Sequence, residues 1–183
     1  MAEGVFQKKG NIFTPTEIAS GPWSPKFLHG GATGGLIAYV LENFEPREQM
    51  RFARINIDMF RPVPMLPLTV KTEVIREGSR IQVLQTTVFS EGTEVVRGMG
   101  IRMRQIPTEV DESLQPSKDT PPDPKGINEI KLMGGKSNGA FAPTLNANLR
   151  IKQITGFTGK GEGSCWVKVA VPVVEGETNT ALT

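Results

Sequence analysis

The sequence of 183 residues holds a single cysteine, Cys165, and a single histidine, His29. One thiol excludes an internal disulfide, and one imidazole excludes a His-rich metal site and makes a Ser-His-Asp triad hard to assemble. Charge of one sign is lacking too: 21 basic against 19 acidic residues leave a net +2, scattered without a long block. The chain therefore lacks the electrostatic footprint of a dedicated nucleic-acid binder. No apolar run approaches the roughly 18 residues of a membrane-spanning helix, and Met1-Ala2-Glu3-Gly4 has neither the basic nor the apolar region of a secretory leader. These absences predict a cytoplasmic protein with small-molecule partners and with no nucleic acid, membrane span, metal or cofactor.

What is present is punctuation and period. Gly4 to Thr14, broken at Gly10-Asn11, reads as two brief strands or a loose hairpin, and Gly21-Pro22-Trp23-Ser24-Pro25 as a rigid loop. From Gly31 to Asn43 the apolar residues Ala32, Leu36, Ile37, Val40 and Leu41 recur at three- and four-residue spacing, which predicts a helix. Gly34 and Gly35 weaken it by about 1 kcal/mol each relative to Ala, so their presence predicts a face of close approach. After Glu45-Pro46 the period falls to two, with Ala53, Ile55, Ile57 and Met59 on one face and Arg54, Asn56, Asp58 and Phe60 on the other. The prolines at 62, 64 and 67 make the next stretch a connector. Three alternating runs follow, over 68–76, 80–89 and 94–105, separated by Glu77-Gly78-Ser79 and Ser90-Glu91-Gly92; this is an antiparallel meander, and one long helix beside it predicts helix-on-sheet packing.

Residues 107–126 are rich in proline and poor in large apolar side chains, the composition of a linker. Residues 149–154 and 164–174 read as strands joined by the glycine-rich stretch 156–163. Gly159-Lys160-Gly161 does not open a helix with Gly-Lys-Ser/Thr, so a hairpin loop is expected there and not a phosphate loop. Cys165 lies on an apparent strand with no partner thiol and reads as a buried structural cysteine. Residues 174–179 read as a strand exit with a helix N-cap, of which 180–183 would be the first turn. One turn is not stable alone, so the chain is expected to stop inside an unfinished element.

The segments His29-Gly30-Gly31 before a glycine-bearing helix, Asn56-Ile57-Asp58-Met59-Phe60-Arg61-Pro62-Val63, Pro67-Leu68-Thr69-Val70 and Arg76-Glu77-Gly78-Ser79-Arg80 together resemble the acyl-CoA thioesterase II-like branch of the hotdog superfamily. The resemblance implies an α+β hotdog fold, an antiparallel sheet wrapped around a long central helix, with residues 1–106 as the first hotdog domain, 107–140 as linker and 141–183 as the start of a second, incomplete repeat. It further implies hydrolysis of acyl-CoA by a carboxylate-activated water, the oxyanion being met by amides of Gly30, Gly31 or Ala32, where the helix dipole favours negative charge. The catalytic candidates are His29, Gly30, Gly31 and Asp58, and the substrate-binding candidates are Trp23, Gly34, Arg61 and Arg80. Lys8, Lys9, Arg61, Arg76 and Arg80 are the cations available for coenzyme A phosphates. His29 fits a turn-stabilising or substrate-orienting role better than acid-base catalysis, and Trp23 and Trp166 fit core or interface positions.

One departure matters. Related single-hotdog thioesterases carry the catalytic acid nine residues after the histidine, where this chain has Ala38, and the double-hotdog branch carries its aspartate in a part of the second repeat that this sequence does not contain. A non-catalytic acyl-CoA-binding or assembly subunit is therefore the alternative, and a hydratase of the same fold would need an Asp/His pair. An unfinished second repeat would expose strand edges, which predicts a homo-oligomer.

Overall fold

The structure, a computed structural model, describes residues 3–114, 121–130, 136–137, 140–141, 144–156, 161–180 and 182–183. The chain opens with β1 (Phe6–Lys9) and β2 (Ile12–Pro15), an antiparallel hairpin turned at Gly10, where φ is 63°. Then follow α1 (Gly30–Asn43), β3 (Met50–Met59), β4 (Leu68–Arg76), β5 (Ile81–Ser90) and β6 (Thr93–Arg104). These strands form one antiparallel sheet in the order β1-β2-β4-β5-β6-β3, as the change of period after Glu45-Pro46 predicts. Beyond it, β7 (Glu129–Ile130) falls within the stretch expected as linker and pairs with β10 (Leu149–Thr155), which pairs with β11 (Ser164–Val169); β8 (Lys136–Ser137) and β9 (Ala140–Phe141) form a separate small hairpin.

The core lies between α1 and the sheet. Leu36, Ile37 and Leu41 are fully buried against Leu84, Val88 and Val96. On β5 burial alternates strictly, so Gln82, Leu84, Thr86, Val88 and Ser90 all turn inward. The helix approaches the sheet most closely over β6: a Cβ on Gly98 would stand 2.4 Å from Ile37 Cγ2, and one on Gly100 would stand 3.2 Å from Leu41 Cδ1. The helical pair Gly34-Gly35 is less crowded, yet Gly35 has a use: Val173 Cγ2 comes within 3.2 Å of where its Cβ would be.

Val173 arrives there because the segment after β11 returns to the first sheet. Val5 N–H and Phe6 N–H donate to the carbonyls of Pro172 and Val173, Glu175 N–H donates to Phe6 C=O, each at 2.9 Å, and Val174 bridges Phe6 in parallel. Tyr39 on α1 donates to the Glu177 carboxylate at 2.7 Å and accepts from Lys8 Nζ at 2.8 Å. No helix follows among the described residues. The expected N-cap, Asn179, instead accepts from Val173 N–H at 2.8 Å and donates to Val171 C=O at 2.9 Å, so its side chain closes the loop it was expected to leave. Cys165 is half-buried, opposite Gln153 on β10, and the Trp166 indole donates to Pro122 C=O at 3.0 Å. The stretch 156–163 joins β10 to β11 as a hairpin loop, its residues 157–160 lying outside the described ones.

At the far end of α1, Glu45 takes a left-handed φ of 40° and Pro46 blocks continuation. The last-turn carbonyls meet a side chain from β6. Arg102, 3% exposed, donates through Nη2 to Leu41 C=O at 2.6 Å and Phe44 C=O at 2.8 Å, and through Nη1 to Glu45 C=O and to Gln82 Oε1 at 3.0 Å.

Candidate active site at the helix N-terminus

His29 sits in extended backbone just before α1 and caps it: its Nδ1 accepts from Gly31 N–H at 2.9 Å, and its carbonyl accepts from Thr33 N–H at 3.1 Å. This is the turn-stabilising role that its position favoured. It removes Gly31 from the three amides expected to face an oxyanion. The amides of Gly30 and Ala32 have no acceptor among the described residues, so two donors remain where the helix dipole is positive. Gly30 is exposed, and a Cβ there would touch only Met59 Cε, at 3.9 Å. Gly31 is tighter, with Leu145 Cδ2 3.2 Å from where its Cβ would be.

Leu145 belongs to a short 3-10 turn, Leu145–Asn148, that lies over the capped helix end. Leu145 N–H donates to Ser20 C=O at 3.3 Å, and Asn146 bonds the His29 side chain. Just before it, Thr144 is 2% exposed and its hydroxyl has no partner among the described residues, so a free donor and acceptor is held beside the turn. Nothing in the period of the sequence marks this cover, because it lies between the stretch expected as linker, 107–140, and the strand-like run from 149, and is placed by tertiary contacts.

Burial pushes the His29 pKa below the ordinary 6.5, with the bond to Asn146 pulling the other way. The cap itself requires an unprotonated Nδ1. A proton taken up more readily by the unfolded chain than by the folded one makes stability fall as pH drops below 6.5. Thermal unfolding between pH 7 and pH 5 is therefore expected to show a loss of stability that His29→Asn, itself a good N-cap, abolishes. His29→Ala should cost about 1 kcal/mol at pH 7. An acid-side loss identical in wild type and His29→Asn would count against the linkage.

The remaining site candidates divide between two ends of the sheet. Arg61 follows β3 near the helix N-terminus and donates to Glu94 C=O at 2.9 Å. Trp23 projects from its loop, 94% exposed, and is not a core residue. Gly34, half-buried, faces Ile57 Cδ1 at 3.8 Å. Asp58 is exposed and, by alternation, points to the face away from Ile57 and α1, so the sheet separates its carboxylate from Gly30 and Ala32. Arg80 lies at the opposite end, where its carbonyl accepts from Arg104 N–H at 2.9 Å, and is not brought together with His29. Ala38 is buried at 7% exposure. Among the described residues no cluster of three or more His, Cys, Asp or Glu is arranged to hold a metal, and no helix is long and apolar enough to cross a membrane.

A long helix clasped by a six-stranded antiparallel sheet, with its capped N-terminus at one mouth, defines a hotdog-fold protein. The similarities agree: residues 19–103 match the acyl-CoA thioesterase N-terminal domain. A hotdog-fold protein from Alicyclobacillus acidocaldarius superposes with a TM-score of 0.57 at 15% identity, over 82% of this chain and 53% of its own. A candidate thioesterase II from Thermobifida fusca gives 0.53 at 14% identity, over 81% and 53%. The chain thus spans about half the length of these two solved structures. No curated protein matches it in sequence at a significant level.

Proposed function

We propose that the chain forms the oxyanion-binding half of an acyl-CoA thioesterase. The observation that carries this reading is the pair of free amides, Gly30 and Ala32, at an α1 N-terminus whose first residue presents no side chain. A thioester carbonyl oxygen set against them would gain hydrogen bonds as water adds to the carbon and negative charge develops. The tetrahedral intermediate then expels the coenzyme A thiolate, and the proton of the attacking water passes by way of a carboxylate to that sulfur. With Asp58 on the outer face, that carboxylate is supplied by a second hotdog unit.

The unpaired edge of β3, Met50–Met59, is the natural place for that unit to add. Met59 and Phe60 at its end are exposed, as are Trp23, Phe27 and Leu66, apolar side chains suited to burial. Between copies of this chain the result is a homo-oligomer.

The test follows free-thiol release from short- and medium-chain acyl-CoA, with sedimentation reporting the assembly of the same sample. Gly30→Leu should lower kcat/KM about 10- to 100-fold, since it obstructs one oxyanion donor, while leaving the unfolding midpoint nearly unchanged because the space at Gly30 is open. Release indifferent to Gly30→Leu would sink the oxyanion assignment. The second reading, an acyl-CoA-binding subunit without chemistry, is favoured by the buried Ala38 where an acid would stand. Binding without thiol release from an assembled sample would select it.

A further inference from the structure

The turn between β4 and β5 contains one carboxylate, Glu77, and it is already engaged: it accepts from Gln82 Nε2 at 2.9 Å and pairs with Arg47 at 2.8 Å. The arginines on either side of the turn are left uncompensated. Arg76, Arg80 and, from β6, Arg104 line one cavity of about 410 Å³ with no carboxylate in its wall. None of the three belongs to an ion pair among the described residues. Arg104 is fixed between β5 and β3, its N–H on Arg80 C=O at 2.9 Å and its Nη2 on Gln49 Oε1 at 3.1 Å. The turn is tight as well, since a Cβ on Gly78 would lie 2.9 Å from Ile81 O.

A second cavity of about 430 Å³ shares Ser79 and Arg104 and adds Arg47, Glu48, Gln49 and Met50, so the two form one groove with Arg104 at its waist and Glu48 as the one carboxylate in its wall. Its apolar wall is open: Met103 is 46% and Ile106 61% exposed.

Like charges gathered around a cavity repel one another and raise the local concentration of anions. Guanidinium groups match phosphate oxygens in paired hydrogen bonds, and the volume is within the usual ~300–1,000 Å³ of small-molecule sites. From this geometry we infer a second binding site, for a nucleotide-type phosphoanion: two phosphate groups across the waist at Arg104 and a ring system against Met103 and Ile106. Register sets it apart from the helix N-terminus. Arg104 pairs with Met50 and Val96 with Met59, the two ends of β3, which at ~3.3 Å per residue lie about 30 Å apart. The inference does not rest on the thioesterase reading.

Titration calorimetry of the full chain with ADP at low salt tests it. ADP should bind with an affinity that falls as salt rises, pyrophosphate more weakly and adenosine least. Arg80→Ala combined with Arg104→Ala should raise the Kd at least 10-fold, whereas Lys26→Ala with Lys71→Ala, the same loss of charge elsewhere, should not. Arg80→Lys with Arg104→Lys keeps the charge and should fall between wild type and the alanine pair, separating lost recognition from lost folding. Absence of ADP binding at millimolar concentration, or equal weakening by the arginine and lysine pairs, overturns the site. Displacement of ADP by coenzyme A assigns the groove to the nucleotide end of that larger molecule, and ADP binding that coenzyme A leaves undisturbed assigns it to a free nucleotide; both outcomes support the phosphoanion site.

Discussion

Replacing Arg102 with methionine is expected to destabilise the protein by about 3–5 kcal/mol, read as a lowered urea midpoint at unchanged slope. Methionine retains the apolar stem and removes the guanidinium, which donates to carbonyls of Leu41, Phe44 and Glu45 and to Gln82 Oε1. Those acceptors are otherwise the orphan carbonyls of a helix end, where the dipole is negative and a cation is favoured. Burial lowers the Arg102 pKa from its ordinary value, with nearby Arg47 adding to the effect and Glu42 and Glu45 opposing it. The group stays charged at all working pH, so its loss uncovers acceptors and does not merely remove a neutral contact. Each buried acceptor left bare costs about 1–3 kcal/mol, and Gln82, fully buried, keeps only its bond to Glu77. The Phe52 ring, whose centroid is 4.8 Å from the guanidinium carbon, loses its cation as well. Arg102→Lys should recover less than half of the loss, since one ammonium cannot reach acceptors on both sides of the fork. A methionine variant within 1 kcal/mol of wild type would refute this account.

Arg102 also marks where the sequence stops being legible. Period two revealed β3 to β6 and period 3.6 revealed α1, because most inward positions there are apolar. On β6 the inward positions are Val96, Gly98, Gly100 and Arg102. By hydropathy the last three look like outward residues, and nothing local tells that two are small to admit the helix and one is charged to cap it. The glycines that drew notice, Gly34 and Gly35, are where helix propensity is visibly violated, yet the closest approach is made by the strand. The candidate site divides along the same line. A histidine followed by two glycines at the start of a helix is readable as a cap, since both partners lie within three residues. The cover formed by Thr144, Leu145 and Asn146, the outward turn of Asp58, and the placing of Arg80 and His29 at opposite ends of the sheet depend on pairings distant in sequence. Asn179 failed as a helix cap for a related reason: its side chain satisfies backbone groups at 171 and 173, an alternative that Asn offers wherever the chain turns.

Gly98→Ala is expected to cost about 1–3 kcal/mol by overpacking, and Gly98→Val more. The added Cβ would fall 2.4 Å from Ile37 Cγ2, on a branched and fully buried side chain that cannot swing away. Gly126→Ala supplies the control, because nothing lies within 4 Å of its Cβ position. The contact can be isolated: Ile37→Leu removes the methyl at Cγ2, so the double variant should be more stable than the sum of single effects allows by about 1 kcal/mol. Strict additivity would mean that the strand glycine is not set by Ile37. The consequence reaches the site, since α1 is anchored at its C-terminal end by Arg102 and pressed onto β6 at Ile37. Any lift of the helix by an alanine at 98 must tilt its free end, where Gly30 and Ala32 present their amides. Thiol release should then fall by more than the population of folded protein does, which distinguishes a displaced helix from simple unfolding.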